Sequence, residues 1–333
     1  MNAPFFLRPA GKDYLWGGNR LNDDFSKGIE LSPLAETWEC STHADGPSTV
    51  ASGEFAGREL RDVLKAHPEF LGSHPRSVMK RHGMDDTELP ILVKFIDAKQ
   101  DLSIQVHPDD AYAEQNEHSL GKTEMWYVLD AAKDAKLVYG LRQELTAEAL
   151  REAICTGTVE RYVQKVPIQK NDVFFIPAGT VHAIGAGTLV AEIQENSNLT
   201  YRLYDYGRLG KDGKPRELHV QQVLAVADLR RAGRPVQPMR VLKYRRGCAT
   251  ELLCRCEYFM VERMLLNTER CREMVSYRAG NGSFAVLLCL DGCGLVSWGA
   301  ETLPFFKGDC LFVPADSVAI KLHGSAHLLR VSC

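Results

Sequence analysis

No apolar run in this sequence approaches the ~18 consecutive residues that a membrane-spanning helix requires. Nor is there an excess of one charge: 40 Lys and Arg against 43 Asp and Glu leave a formal net charge of −3. Such a balance offers no basic surface for nucleic acid and no attraction to an anionic membrane. The opening stretch MNAPFFLRPAGKDYLWGG lacks the apolar segment and small-residue cleavage site of a secretory signal, so the expected location is cytoplasmic. Ten cysteines are present, but none stands in zinc-type spacing. Eight lie at or after Cys248, in apolar runs such as AVLLCL and DCLFVP. A reduced thiol there behaves as a small hydrophobe, which suits a reducing compartment. Cys254 and Cys256 are expected on one face of a strand.

What is present is an ordinary globular composition, 45% hydrophobic and 25% charged over 333 residues. That length suits one large or two moderate domains, at ~100–200 residues each. Helical patterns are few. GRELRDVLKAHPEFLG (57–72) is amphipathic, PDDAYAEQNEH (108–118) opens with Pro and two acids, and TAEALREAICTG (146–157) carries an N-cap Thr and a closing Gly. Strand signals dominate. Alternating or continuous apolar runs occupy 91–97, 102–107, 125–129, 136–139, 172–177, 188–195 and 200–206, then 257–265, 284–290, 310–314 and 326–331. Many short strands between Gly, Pro and Asp turns indicate a barrel or sandwich.

A weak internal repeat divides the chain. QKNDVFFIPAGTVHAIG from Gln169 parallels FKGDCLFVPADSVAIKL from Phe306, matching Asp172 with Asp309 and Pro177 with Pro314. MWYVLDA parallels VLLCLDG at a different offset, which sets Ala285 opposite Glu124. In the same repeat Ala319 takes the place of His182. Two related β-barrels are expected, joined near ADLRRAGRPVQPMR (227–240), a stretch rich in Arg and Pro. The expected domains are 1–235, with the helices inserted, and 236–333, without metal ligands.

Four side chains suggest a metal site. Gln105 and His107 share strand parity, opposite to Ile104 and Val106. Glu124 directly precedes an apolar strand, and His182 follows the rigid Pro-Ala-Gly turn. Two imidazoles, one carboxylate and one amide oxygen can close around one divalent ion. Asp109 and Asp110 follow Pro108 and read better as helix N-terminal acids. His118, His219, His323 and His327 have no comparable context and read as surface or core residues.

These residues carry a resemblance. Asn171 to His182 fits the second cupin motif, G-x5-P-x-G-x2-H, with Asn in place of the first Gly. SIQVHPD, GKTEMWY, IPAGTVHAIGAG and NSNLTYRLYDYGR, with LAETWECSTHADGPS and LPILVKFIDA, resemble in order the short bacterial form of type I mannose-6-phosphate isomerase (phosphomannose isomerase). The resemblance covers residues 10 to 220. It implies a mainly β fold of two cupin-like (jelly-roll) β-barrels and an enzyme that interconverts mannose 6-phosphate and fructose 6-phosphate through an enediol. It implies one zinc ion, held by Gln105, His107, Glu124 and His182. It also places Arg202 and Lys122 in catalysis, and Lys94, Ser103, Arg208, Trp16 and Glu36 around the sugar phosphate. Arg208 stands where longer members carry Lys, which keeps the charge.

Strand alternation separates Arg202 from Asp205, setting Thr200, Arg202 and Tyr204 on one face. One position departs from the family pattern: Asn198 occupies the place of an expected acid four residues before Arg202. Glu36, a lysine or a zinc-bound water are then the candidate bases. Two other readings are a non-catalytic bicupin that binds sugar phosphate or metal, and a non-haem iron oxygenase. Gln105 as a fourth ligand disfavours the oxygenase, which needs open positions.

Overall fold

The strand Glu124–Ala131 shows how the layers arise. Met125, Tyr127 and Leu129 point into one core, while Trp126 and Val128 point into another. A strand apolar on both faces is buried on both faces. This strand lies in a six-stranded antiparallel sheet ordered Val173–Ile176, Glu124–Ala131, Thr188–Glu195, Ile91–Ala98, Glu36–Cys40 and Ala10–Lys12. The chain is seen in a computed structural model that describes residues 2–210, 212–271 and 273–333.

A five-stranded sheet faces the first: Tyr201–Tyr204, Ile104–Val106, His182–Ala183, Lys136–Leu141 and Val163–Pro167. Trp126, Val190, Leu137 and Ile184 join one core between them. The outer face of the five-stranded sheet is covered by helices Ala147–Cys155 and Val220–Val226, with Leu150, Ile154 and Val223 packed on Ile104, Val106 and Leu203. A ten-stranded sheet built mainly from residues after 243 closes over the outer face of the six-stranded one. Strand is 39% and helix 15%, so the mainly β reading holds, with sheets packed face to face and not closed into barrels.

The N-terminal strand Phe5–Arg8 lies in the C-terminal sheet, pairing Phe5 with Phe312 and Leu7 with Cys310. The Phe312 ring stacks at 5.2 Å on both Phe5 and Phe284. Sequence patterning does not reveal this, because the partner strand lies some three hundred residues away.

The repeat is real in three dimensions. Val173–Ile176 and Cys310–Val313 are equivalent strands, each preceded by the same turn: Asp172 accepts from the Gln169 N–H at 2.9 Å and Asp309 from the Phe306 N–H at 2.7 Å. Ile176 pairs with Glu124 and Val313 with Ala285, which makes Ala285 the counterpart of Glu124. Asn171, at the family glycine position, has φ of 74°. Asn tolerates that left-handed conformation better than other side-chain-bearing residues.

Other local expectations divide. Asp109 caps the helix Asp110–Glu117 by accepting from the Tyr112 N–H at 2.9 Å, as its placement after Pro108 suggests. The 57–72 segment is two pieces, Leu60–Ala66 and Pro68–Leu71, because a residue before proline is driven out of the α region. The 227–240 connection exposes Val236 and Met239, yet it is pinned: the Leu145 N–H donates to the Leu229 carbonyl and Gln237 bonds both backbone groups of Val173. All ten cysteines are free; Cys155 and Cys293 are exposed. Cys254 and Cys256 pack against the same core, on one face as expected.

Candidate functional site

The inner face of the six-stranded sheet carries ionisable groups on four adjacent strands. Glu192 is the register partner of both Lys94 and Trp126, and Lys94 is also that of Trp38. Directly opposed residues project to the same face, so these side chains meet. Lys94 Nζ lies 3.3 Å from Glu192 Oε1 and 3.8 Å from Glu36 Oε2. The indole N–H of Trp126 donates to Glu192 at 2.8 Å, and that of Trp38 to Glu36 at 2.8 Å. Lys94, Glu36 and Glu192 are buried, so each charge requires these partners.

The five-stranded sheet contributes the facing row. Gln105 pairs with His182 on one side and with Arg202 on the other. Trp16, Glu36, Lys94, Ser103, Gln105, Lys122 and Arg202 line one cleft of about 220 Å³. Tyr14, Glu192, Asn198, Thr200, Arg216 and His219 also line it. His107, Glu124 and His182 are buried behind Gln105 and Lys122.

His107, Glu124 and His182 bring their ligand-type atoms within 4.8 Å of one another, a group able to hold a metal ion. His182 Nδ1–H donates to the Thr180 carbonyl at 2.8 Å, which leaves Nε2 as a bare lone pair. That lone pair faces Glu124 Oε1 at 3.3 Å. Burial keeps His182 below its ordinary pKa, so the contact is no salt bridge. Glu124 Oε1 is itself buried without a hydrogen bond. Two opposed lone pairs in a dry site call for a cation between them, and these residues therefore fit a metal. Burial, then the Lys122 charge, lowers His107 to about 3 and keeps it neutral, as ligation requires. Glu124 stays ionised despite burial, because the Lys122 ammonium beside it favours the carboxylate. Gln105 lies 3.5 Å from His182 Nε2, with Ser103 Oγ 3.2 Å from its Oε1. Rotation of the amide turns its oxygen toward the ligand group and leaves its N–H for Ser103.

Lys122 Nζ donates to Glu124 at 2.7 Å and lies 3.0 Å from His107 Nε2. Burial opposes its charge, but Glu124, Glu192 and Glu36 outweigh that and raise its pKa. Burial, then repulsion from Glu124, raises Glu192 instead. Two buried carboxyls thus move in opposite directions, a pattern that separates a ligand from a proton carrier.

Three sequence expectations change. Arg208 does not line the cleft: its guanidinium is held by Asp205 and by the Asp101 carbonyl, the latter at 2.6 Å. Arg216 stands at the wall instead and donates to Asp205 at 2.6 Å. With Asp205 so occupied, no Arg202–Asp205 ion pair forms. Tyr204 also leaves the Arg202 face, because the register shifts between them and Tyr204 packs with the outer core. His219, read as a surface or core residue, lines the cleft and accepts the Arg202 backbone N–H on Nδ1 at 3.1 Å. Glu192 and His219 were legible only as one of two acids in a strand and a histidine before a helix.

The chain matches the model for the phosphomannose isomerase type I catalytic domain over residues 5–140 and that for the mannose-6-phosphate isomerase cupin domain over 249–333. It is 34% identical to the mannose-6-phosphate isomerase ManA of Bacillus subtilis, covering 98% of each chain. It is 33% identical to the mannose-6-phosphate isomerase of Streptococcus mutans, covering 99% of this chain and 98% of that one. The crystal structure of the mannose 6-phosphate isomerase from Bacillus subtilis superposes with a TM-score of 0.87 at 34% identity, covering 100% of both. Full-length relatedness at this level, together with both domain matches, makes this chain a member of the type I phosphomannose isomerase family.

Proposed function

We propose that the protein is a zinc-dependent aldose–ketose isomerase that interconverts mannose 6-phosphate and fructose 6-phosphate. The observation that carries this reading is the convergence of Lys94, Lys122, Glu192 and Arg202 on one cleft, beside the His107–Glu124–His182 group. His107, Glu124, His182 and the rotated Gln105 would hold the ion. The donor set of two imidazoles, a carboxylate and an amide suits zinc. When bound, zinc supplies a Lewis acid that polarises sugar oxygens.

The chain's own residues then do the following. Glu192, whose carboxyl is raised above its ordinary pKa by burial and by the Glu124 charge, takes the proton from C2 and returns it to C1. Lys94 and the Trp126 indole hold its two oxygens and fix its direction. Lys122 remains an ammonium and donates to the oxygen on which charge develops. Arg202 donates from the opposite wall. Arg216 and His219 line the same cleft and would hold the phosphate, which is remote from the reacting carbons. Ser103 and Trp16 shape the sugar subsite, with the Trp16 ring 5.6 Å from that of Tyr14.

The test is turnover of mannose 6-phosphate coupled to glucose 6-phosphate formation, with and without a chelator, and restoration by zinc. Activity that is lost on chelation and regained with zinc is expected. Tight zinc and sugar-phosphate binding without turnover would overturn the catalytic reading in favour of a sugar-phosphate binder. Glu192→Gln should abolish exchange of the C2 proton with solvent deuterium while leaving zinc bound. The ten free thiols suit a reducing cytoplasm, where we place the protein. No helix among the described residues is long and apolar enough to cross a membrane.

A further inference from the structure

Glu195 ends the strand that carries Glu192, and it is 1% exposed. Its Oε1 accepts the Thr123 N–H at 2.6 Å, and its own N–H donates to the Thr123 carbonyl at 3.1 Å. Thr123 is the residue between Lys122 and Glu124. The other oxygen, Oε2, is buried and meets no ordinary donor. Its neighbour is the side chain of Asp110. Asp110 is itself engaged, with Oδ1 accepting the Gly121 N–H at 2.8 Å and Oδ2 accepting the Tyr258 hydroxyl at 2.9 Å. Tyr258 belongs to the C-terminal part of the chain.

The loop is held at three consecutive residues. Between the Gly121 and Thr123 contacts, the Lys122 N–H donates to the Pro108 carbonyl at 3.0 Å. Gly121 lies flush on the helix start: a Cβ there would come within 2.6 Å of the Asp110 nitrogen. Two carboxylates in contact repel, and neither has a hydrogen to give the other. One proton on the pair removes the repulsion and supplies the missing donor. Few cations face the pair. His82 Nε2 lies 3.8 Å from Asp110, beyond hydrogen-bond distance, and its Nδ1 meets Glu114 at 2.5 Å. Cys256 and Tyr258 face it from the C-terminal part, neither of them cationic. Burial, then the Asp110 charge, raises the Glu195 carboxyl to about 9.

We infer that Glu195 and Asp110 share one proton, and that this pair, anchored to the C-terminal sheet through Tyr258, fixes the 121–123 loop so that Lys122 and Glu124 keep their working geometry. Glu195 is then a positioning residue, and the C-terminal part supports the reaction through one hydroxyl. This rests on the roles of Lys122 and Glu124 given above. Misplacing such groups by ~1 Å typically costs ~10²-fold in rate.

The experiment compares wild type, Glu195→Gln, Glu195→Ala and Tyr258→Phe for kcat, KM and zinc content across pH. Glu195→Ala should lower kcat by ~10²-fold, with KM changed less and zinc retained. Glu195→Gln should restore most of that loss, since its amide oxygen still accepts from Thr123 and its N–H reaches Asp110. Wild-type kcat should fall as pH rises through about 9, and Glu195→Gln should lack that decline. Tyr258→Phe removes a donor that favours the doubly ionised pair, so its decline should move to higher pH. A Gln variant as impaired as Ala, or one that keeps the wild-type alkaline decline, would overturn the inference. If Glu195→Ala does not fold, Gln and Phe decide alone. An infrared band of a protonated carboxyl at neutral pH, lost in Glu195→Gln, tests the shared proton without turnover. A wild-type protein that turns over no mannose 6-phosphate yet shows this band would sink the isomerase reading and not the pair; absence of the band would sink the pair.

Discussion

Arg202 lies directly across the sheet from Gln105, on the neighbouring antiparallel strand. Directly opposed residues project to one face, so both side chains enter the cleft from the same wall. Burial lowers its pKa, as does Arg216 close by, although a guanidinium remains charged at any working pH. Its place in the cleft, across the strand pair from Gln105, predicts a role in the transition state. Arg202→Ala and Arg202→Lys should lower kcat by ~10²–10³, with KM altered less and zinc unchanged. Lys should rescue only in part, because a point charge cannot contact two oxygens as a fork. A loss confined to KM would make Arg202 a phosphate clamp instead.

The ligand group predicts metal content. Wild type should carry one zinc per chain by elemental analysis, and His107→Ala and His182→Ala should each lose it. Thr180 cannot be tested by side-chain mutation, since it fixes the His182 tautomer through its backbone carbonyl. Ser103→Ala should retain zinc but bind it ~10-fold more weakly, as loss of an outer partner typically does. Full occupancy in both histidine variants would remove the site.

Arg216 is expected to act at the far end of the substrate. Removing it should raise KM for mannose 6-phosphate while leaving the slow turnover of unphosphorylated mannose nearly unchanged. Comparing kcat/KM for the two sugars checks this. An equal loss for both would place Arg216 elsewhere, for example in the support of Asp205, to which it donates.

Acid should destabilise the fold through buried imidazoles. Burial, then Arg263, lowers His327 to about 4, and its Nε2 lies 3.4 Å from the Tyr127 hydroxyl. The unfolded chain binds this proton near pH ~6.5, the folded chain only near 4. The unfolded state therefore binds more protons in that window, and stability present above it is lost as pH falls through it. In zinc-free protein, the urea midpoint should drop between pH 7 and 5, and His327→Gln should drop less. An identical drop in both would assign the effect to other groups.

Sequence alone determined much of the site because strand parity is local. Gln105 and His107 share a face whatever surrounds them, and a Pro-Ala-Gly turn delivers His182 without regard to distant chain. The helix cap at Asp109 and the duplicated Asp turns at 172 and 309 are set within a few residues. Tertiary structure decided what parity cannot. Arg216 and not Arg208 reaches the cleft: both guanidiniums meet Asp205, and the Asp101 carbonyl draws Arg208 away. Tyr204 leaves the face of Arg202, because the register shifts between them. Glu192 becomes a site residue only when Lys94 and Trp126 arrive on the strands at either side. Phe5 joins a sheet most of whose strands lie at the far end of the chain. Each of these depends on register between segments distant in sequence, which packing of two-sided sheets selects and no short window contains.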